Sequence, residues 1–200
     1  MQTLRNSLSR SLVATAEAVL SLLQVEKFHL VGHCMGGLTA LELAHKHPKR
    51  VRSFVNISGN LAPEDCVLSR EVVGKAAALD DEAEFEGFIK RMPQTPSYGG
   101  ALYALSLRSK LQPSTIQPML SSTVGRSEKG ELLRKFLALR FARTLMHGDQ
   151  CNKLSYLPAL KAAGVWMSEI MECEHFPMYS NAPSMWAGVE IGLSLGERFG

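Results

Sequence analysis

Apolar residues open the chain at three- and four-residue steps: Leu8, Leu12, Val13, Ala16, Val19, Leu20 and Leu23. That spacing predicts an amphipathic helix over 8–24 with one buried stripe. A short apolar run from Lys27 to Val31 then meets Gly32-His33-Cys34-Met35-Gly36-Gly37, and Leu38, Leu41 and Ala44 resume helical spacing as far as Pro48. The pattern is strand, tight turn, helix. A β-branched run from Val51 to Ile57, closed by Ser58-Gly59-Asn60, predicts a second strand. A third covers Ala142 to His147 before Gly148-Asp149, and a helix over 156–163 follows, capped by Gly164. Val165 to Met171 makes a fourth strand, and a last helix starts near Pro183 with Met185, Trp186, Val189 and Leu193 on one face.

These strands are apolar at successive positions rather than every second one, and they alternate with helices. Both features predict an α/β fold, a mostly parallel, doubly wound sheet covered on both faces. Between Pro63 and Leu139 the strand pattern disappears and helical segments follow one another. We expect a core from 1–62 and 140–200, with an inserted helical lid over 63–139 at the C-terminal edge of the sheet, where doubly wound proteins keep their ligands.

Composition narrows the function classes. A length of 200 residues suits one hydrophobic core, and 46% hydrophobic with 20% charged residues is globular composition. No run of eighteen apolar residues suggests a membrane span. The 22 basic and 19 acidic residues are scattered, without a basic block interleaved with aromatics, which argues against nucleic acid as a partner. Glu17 and Gln24 interrupt the apolar stretch after Arg5 and Arg10, a poor fit to a signal peptide, so a cytoplasmic protein is expected. Cys34, Cys66, Cys151 and Cys173 lie far apart without paired C-x-x-C spacing; reduced thiols and no metal are the expectation.

Gly32-His33-Cys34-Met35-Gly36 matches the G-x-S-x-G nucleophile elbow with sulfur in place of oxygen. The turn holds the nucleophile at strained dihedrals, so its neighbours two positions away must be small. It also sets the thiol at a helix N-terminus, which favours thiolate. His175 follows the fourth strand on a loop at the same sheet edge and is the candidate base.

Val31-Gly32-His33-Cys34-Met35-Gly36-Gly37 resembles the V-G-H-S-M-G-G stretch of the α/β-hydrolase superfamily, and Glu174-His175-Phe176-Pro177 resembles the segment around its catalytic histidine. The resemblance implies Cys34 as nucleophile, His175 as base and the Met35 amide as an oxyanion donor, with His33 and Phe176 beside the substrate and no cofactor. For the triad acid it implies Asp149 after the third strand, although the usual position falls at Cys151; Glu64 or Asp65, beyond the second strand, are the alternatives, and a thiol can also act in a Cys-His dyad without an acid. Measured against the superfamily, the strands before the elbow strand are missing, and with them the loop that supplies the second oxyanion donor. Phe28 to Val31 would then be an exposed sheet edge through which the chain pairs with a second copy, unless the sequence is a fragment.

The function expected is hydrolysis of an ester, thioester or similar acyl bond in a small, largely apolar substrate, with lid residues Phe85, Phe88, Tyr98, Leu102, Tyr103 and Leu105 shaping the pocket. The alternative is a catalytically impaired relative that binds a small molecule or a partner.

Overall fold

The computed structural model describes residues 2–67, 69–70, 73, 81–91, 98–173 and 175–199. Four strands, β1 (Phe28–His33), β2 (Val51–Ile57), β3 (Ala142–Gly148) and β4 (Trp166–Ile170), form one parallel sheet in the order β1-β2-β3-β4. Leu30 pairs with Phe54, Val55 with Thr144, and Leu145 with Met167. Sequence neighbours on these strands bury toward opposite faces: Phe54 and Leu145 enter one core, Val55 and Met146 the other. A sheet covered on both sides needs such continuously apolar strands.

Helices α1 (Gln2–Leu22), α2 (Met35–Lys46), α3 (Asp81–Arg91), α4 (Tyr98–Leu107), α5 (Pro113–Ser127), α6 (Leu132–Ala138), α7 (Leu157–Ala162), α8 (Pro177–Ser180) and α9 (Ala182–Phe199) complete the described chain. Leu38, Leu41 and Ala44 of α2 fill one core beside Phe54, whose ring meets Phe136 edge-on at 5.6 Å. Among the described side chains of α1, Val13, Ala16 and Leu20 join this core, while Leu12, Val19 and, just past the helix, Leu23 are exposed; the side chain of Leu8 lies outside the described residues. The expected stripe is therefore split, because α1 touches the body along a single line.

On the opposite face α9 lies close to the sheet. A Cβ at Gly188 would come within 2.5 Å of Met146, one at Gly192 within 2.6 Å of Val55, and one at Gly196 within 2.7 Å of Ser53. These glycines, one turn apart, form the contact line with Met185 and Val189, and Trp186, expected on the buried face, is exposed. Between β2 and β3, helices α3, α4 and α5 share their own cluster of Phe85, Phe88, Ile89, Ala104, Leu107 and Ile116, to which Phe176 adds. Leu132 and Phe136 of α6 return to the main core. No helix among the described residues is long and apolar enough to cross a membrane.

Candidate active site

Cys34 stands between β1 and α2 with φ 51° and ψ −122°, a backbone region that is costly for a residue with a Cβ. Two hydrogen bonds hold it there: its amide donates to the Ile57 carbonyl at 3.0 Å, and the Gly37 amide donates to its carbonyl at 2.9 Å. The bend presses Gly32 against the start of α2, where a Cβ would sit 2.7 Å from the Gly36 carbonyl oxygen and the Gly37 amide nitrogen. Gly37 is the other crowded position, its Cβ falling 2.6 Å from Asn56 Oδ1, whereas a Cβ on Gly36 would meet nothing within 4 Å. The small residues the turn demands are thus Gly32 and Gly37; Gly36 faces the open cavity.

That cavity, about 170 Å³, is lined by His33, Cys34, Met35 and His175 on one side and by Phe88, Tyr103, Ile116 and Leu120 on the other, with Phe176 between them. Cys34 and His175, 141 positions apart, both line it because parallel strands deliver the elbow and the post-β4 loop to one sheet edge; among the described residues no hydrogen bond joins the thiol to the ring. His33 ties the two together: its Nε2 lies 2.6 Å from the His175 carbonyl oxygen. A carbonyl only accepts, so Nε2 carries the hydrogen. Phe176 packs at 4.9 Å from the His175 ring and stacks on Tyr103 at 4.2 Å with 22° between the planes. Leu102 and Leu105, expected in the pocket, are exposed on the far side of α4, and the side chain of Tyr98 lies outside the described residues, as does Glu174.

Burial governs the charge of this site. It pushes the Cys34 thiol up to about 11, with the Met35 amide, hydrogen-bonded to the sulfur, pulling the other way and the charges of Cys66 and Asp65 adding to the rise. It pushes His175 down to about 3, helped by His33, and holds His33 below the usual histidine range against the bond to the His175 carbonyl. Thiol and imidazole are therefore both neutral at rest. The thiolate expected from the helix N-terminus is absent because desolvation outweighs the dipole.

The candidate acids are engaged elsewhere. Asp149 opens a short 3-10 turn and accepts from the Gln150 amide at 3.1 Å and the Glu172 amide at 3.2 Å. It thereby braces the start of the loop that carries His175. Asp65 accepts from the Leu61 and Ala62 amides, each at 2.8 Å, and from the Tyr156 hydroxyl at 2.7 Å; burial nonetheless raises its carboxyl above the usual range. Glu64 takes the Ser155 hydroxyl at 2.6 Å and the Ser155 amide at 3.1 Å. Among the described residues none of the three hydrogen-bonds to the His175 ring, and no group of three His, Cys, Asp or Glu side chains converges as a metal cage would.

A parallel sheet with a strand–elbow–helix turn and a histidine loop at its C-terminal edge defines the α/β-hydrolase class. Residues 9–127 match the sequence model of the alpha/beta hydrolase fold, more than half of the chain, and the protein belongs to that family. Solved structures agree in fold. A carboxylesterase of the ammonia-oxidizing thaumarchaeon Nitrososphaera gargenis superposes with a TM-score of 0.66 at 13% identity, over 95% of this chain and 73% of that one. The 2-hydroxy-6-oxo-6-phenylhexa-2,4-dienoate hydrolase of Rhodococcus sp. strain RHA1 gives 0.63 at 17%, over 91% and 69%. A bromoperoxidase from Bacillus anthracis gives 0.66 at 13%, over 91% and 72%. Relatives with such different names share the scaffold, so the reaction has to be argued from the site.

Proposed function

We propose that the protein is a hydrolase that cleaves an ester, thioester or similar acyl bond of a small, largely apolar substrate through a Cys34–His175 pair. The observation that carries this reading is the shared cavity: Cys34, the Met35 backbone and His175 line one apolar space beneath the helices that join β2 to β3, which act as its lid. In the first step Cys34 Sγ bonds to the substrate carbonyl carbon while a ring nitrogen of His175 takes the thiol proton. The carbonyl oxygen becomes an oxyanion at the Met35 amide, and collapse of the intermediate expels the leaving group with the proton from His175. Water then attacks the acyl-cysteine, His175 takes a proton from it, the acid departs and the thiol is restored. Asp149 serves this pair through the backbone of the His175 loop rather than through the ring. No cofactor enters the scheme, and four cysteines outside any disulfide suit a cytoplasmic protein.

A second reading, a binding protein built on the same fold, draws on the neutral resting state of Cys34 and His175. Intact-mass spectrometry after incubation with para-nitrophenyl acetate separates the two. A single acetyl adduct on the wild type, absent in Cys34→Ala and slower to form in His175→Ala, is the expected result. A folded wild type that acquires no adduct would leave the binding reading.

A further inference from the structure

We propose that the Tyr103 hydroxyl is a second oxyanion donor, hydrogen-bonding the carbonyl oxygen of a short, uncharged acyl group held on Cys34; this rests on the hydrolase reading. Attack on a carbonyl places a full charge on its oxygen, and the elbow supplies one amide, that of Met35, to receive it. A second donor has to come from the rest of the cavity wall. His33 has committed its Nε2–H to the His175 carbonyl, and Thr123 donates its hydroxyl to the Met119 carbonyl at 3.1 Å; Ser69, another hydroxyl of this wall, is the competing donor. Tyr103 reaches the same cavity from α4, and its hydroxyl has no hydrogen-bond partner among the described residues. Phe88 and Ile116 in the same wall offer it no acceptor, and a ligand oxygen would supply one.

The ring is oriented for that role. It stacks on Phe176 at 4.2 Å, and Phe176 adjoins His175, so donor and base are fixed to one loop. Burial is the main cause that holds the phenol up to about 12, so it remains a donor throughout the neutral range. The cavity also sets the substrate class. At about 170 Å³, with no carboxylate, lysine or arginine among the described residues of its wall, it takes a small neutral acyl group.

The test is the rate of Cys34 acylation by para-nitrophenyl acetate, followed by stopped-flow release of nitrophenolate and by intact mass. Tyr103→Phe keeps the ring stack and removes only the hydroxyl. The expected result is an acylation rate constant about a hundredfold lower, with the half-saturating ester concentration and the melting temperature held. Tyr179→Phe, whose ring packs beside this cluster outside the cavity wall, should match the wild type. Acylation of Tyr103→Phe at the wild-type rate overturns the proposal and leaves the hydrolase reading standing. A loss carried by Ser69→Ala in place of Tyr103→Phe, or a change confined to half-saturation, likewise overturns it. No acylation of the folded wild type overturns both.

Discussion

Acid should destabilise this protein through His175 in particular. The imidazole sits at about 3 in the folded chain against 6.5 for an ordinary histidine, burial being the main cause. As pH falls below the ordinary value the unfolded chain takes up the proton and the folded chain does not, so stability present above pH 6.5 drains away toward pH 3. Between pH 7 and pH 4 the linkage amounts to about 3 kcal/mol from this one group. Carboxylates such as Glu17 and Glu42, held below their usual range by Lys46 and by Lys135 and Arg126, also lose stability in acid. The measurement is therefore a difference. Urea unfolding of the wild type and of His175→Gln at both pH values should show the wild type losing about 3 kcal/mol more, or about 6–12 °C in melting temperature for a chain of this size. Parallel losses in the two proteins would refute the claim that the ring is desolvated, and with it the neutral resting pair.

The elbow glycines should separate under substitution: Gly32→Ala drives a Cβ to 2.7 Å from backbone atoms and is expected to cost about 3 kcal/mol or more, whereas Gly36→Ala, with nothing within 4 Å, should keep the wild-type melting temperature. Asp65→Asn should cost about 2 kcal/mol by weakening the bonds from the Leu61 and Ala62 amides. The same change removes a charge that raises the Cys34 thiol, so iodoacetamide should alkylate Cys34 faster at a fixed pH. Slower alkylation would point to Asp65 as the acid that supports His175.

The sheet was legible because each strand is a short apolar run bounded by turn residues: Val51–Ile57 matches its expected limits, and the third strand runs one residue further, to Gly148. The elbow was legible because Gly32 and the strained Cys34 are local requirements of one turn. Periodicity reports direction, not partners, and so it could not locate the bond from His33 to the His175 carbonyl across 142 positions, nor the Tyr103–Phe176 stack. The helical spacing of Gly188, Gly192 and Gly196 was a readable signal for the closely packed face of α9, yet large residues drew the assignment toward Trp186. For the acid, position along the chain favoured Asp149, but what its oxygens do depends on the Gln150 and Glu172 amides, which no spacing rule reports.

Among the described residues β1 has a neighbour on one side only, β2. The Phe28 amide donates to Arg50 and the Cys34 amide to Ile57, so alternation turns the amides of His29 and Val31 the other way. Val31 is 47% exposed on that strand, and an uncovered apolar edge is a template for another strand. Pairing of two copies through β1 would bury what remains of each Val31, worth about 1 kcal/mol per copy, or about thirtyfold in the dimer dissociation constant for the pair. Sedimentation equilibrium should show a concentration-dependent dimer, and Val31→Lys should weaken it by at least that factor without lowering the monomer's melting temperature. A protein that stays monomeric up to the highest concentration reached would mean that the main-chain groups of this edge remain with water, and that the twist and the flanking Glu26 and Lys27 suffice to keep copies apart.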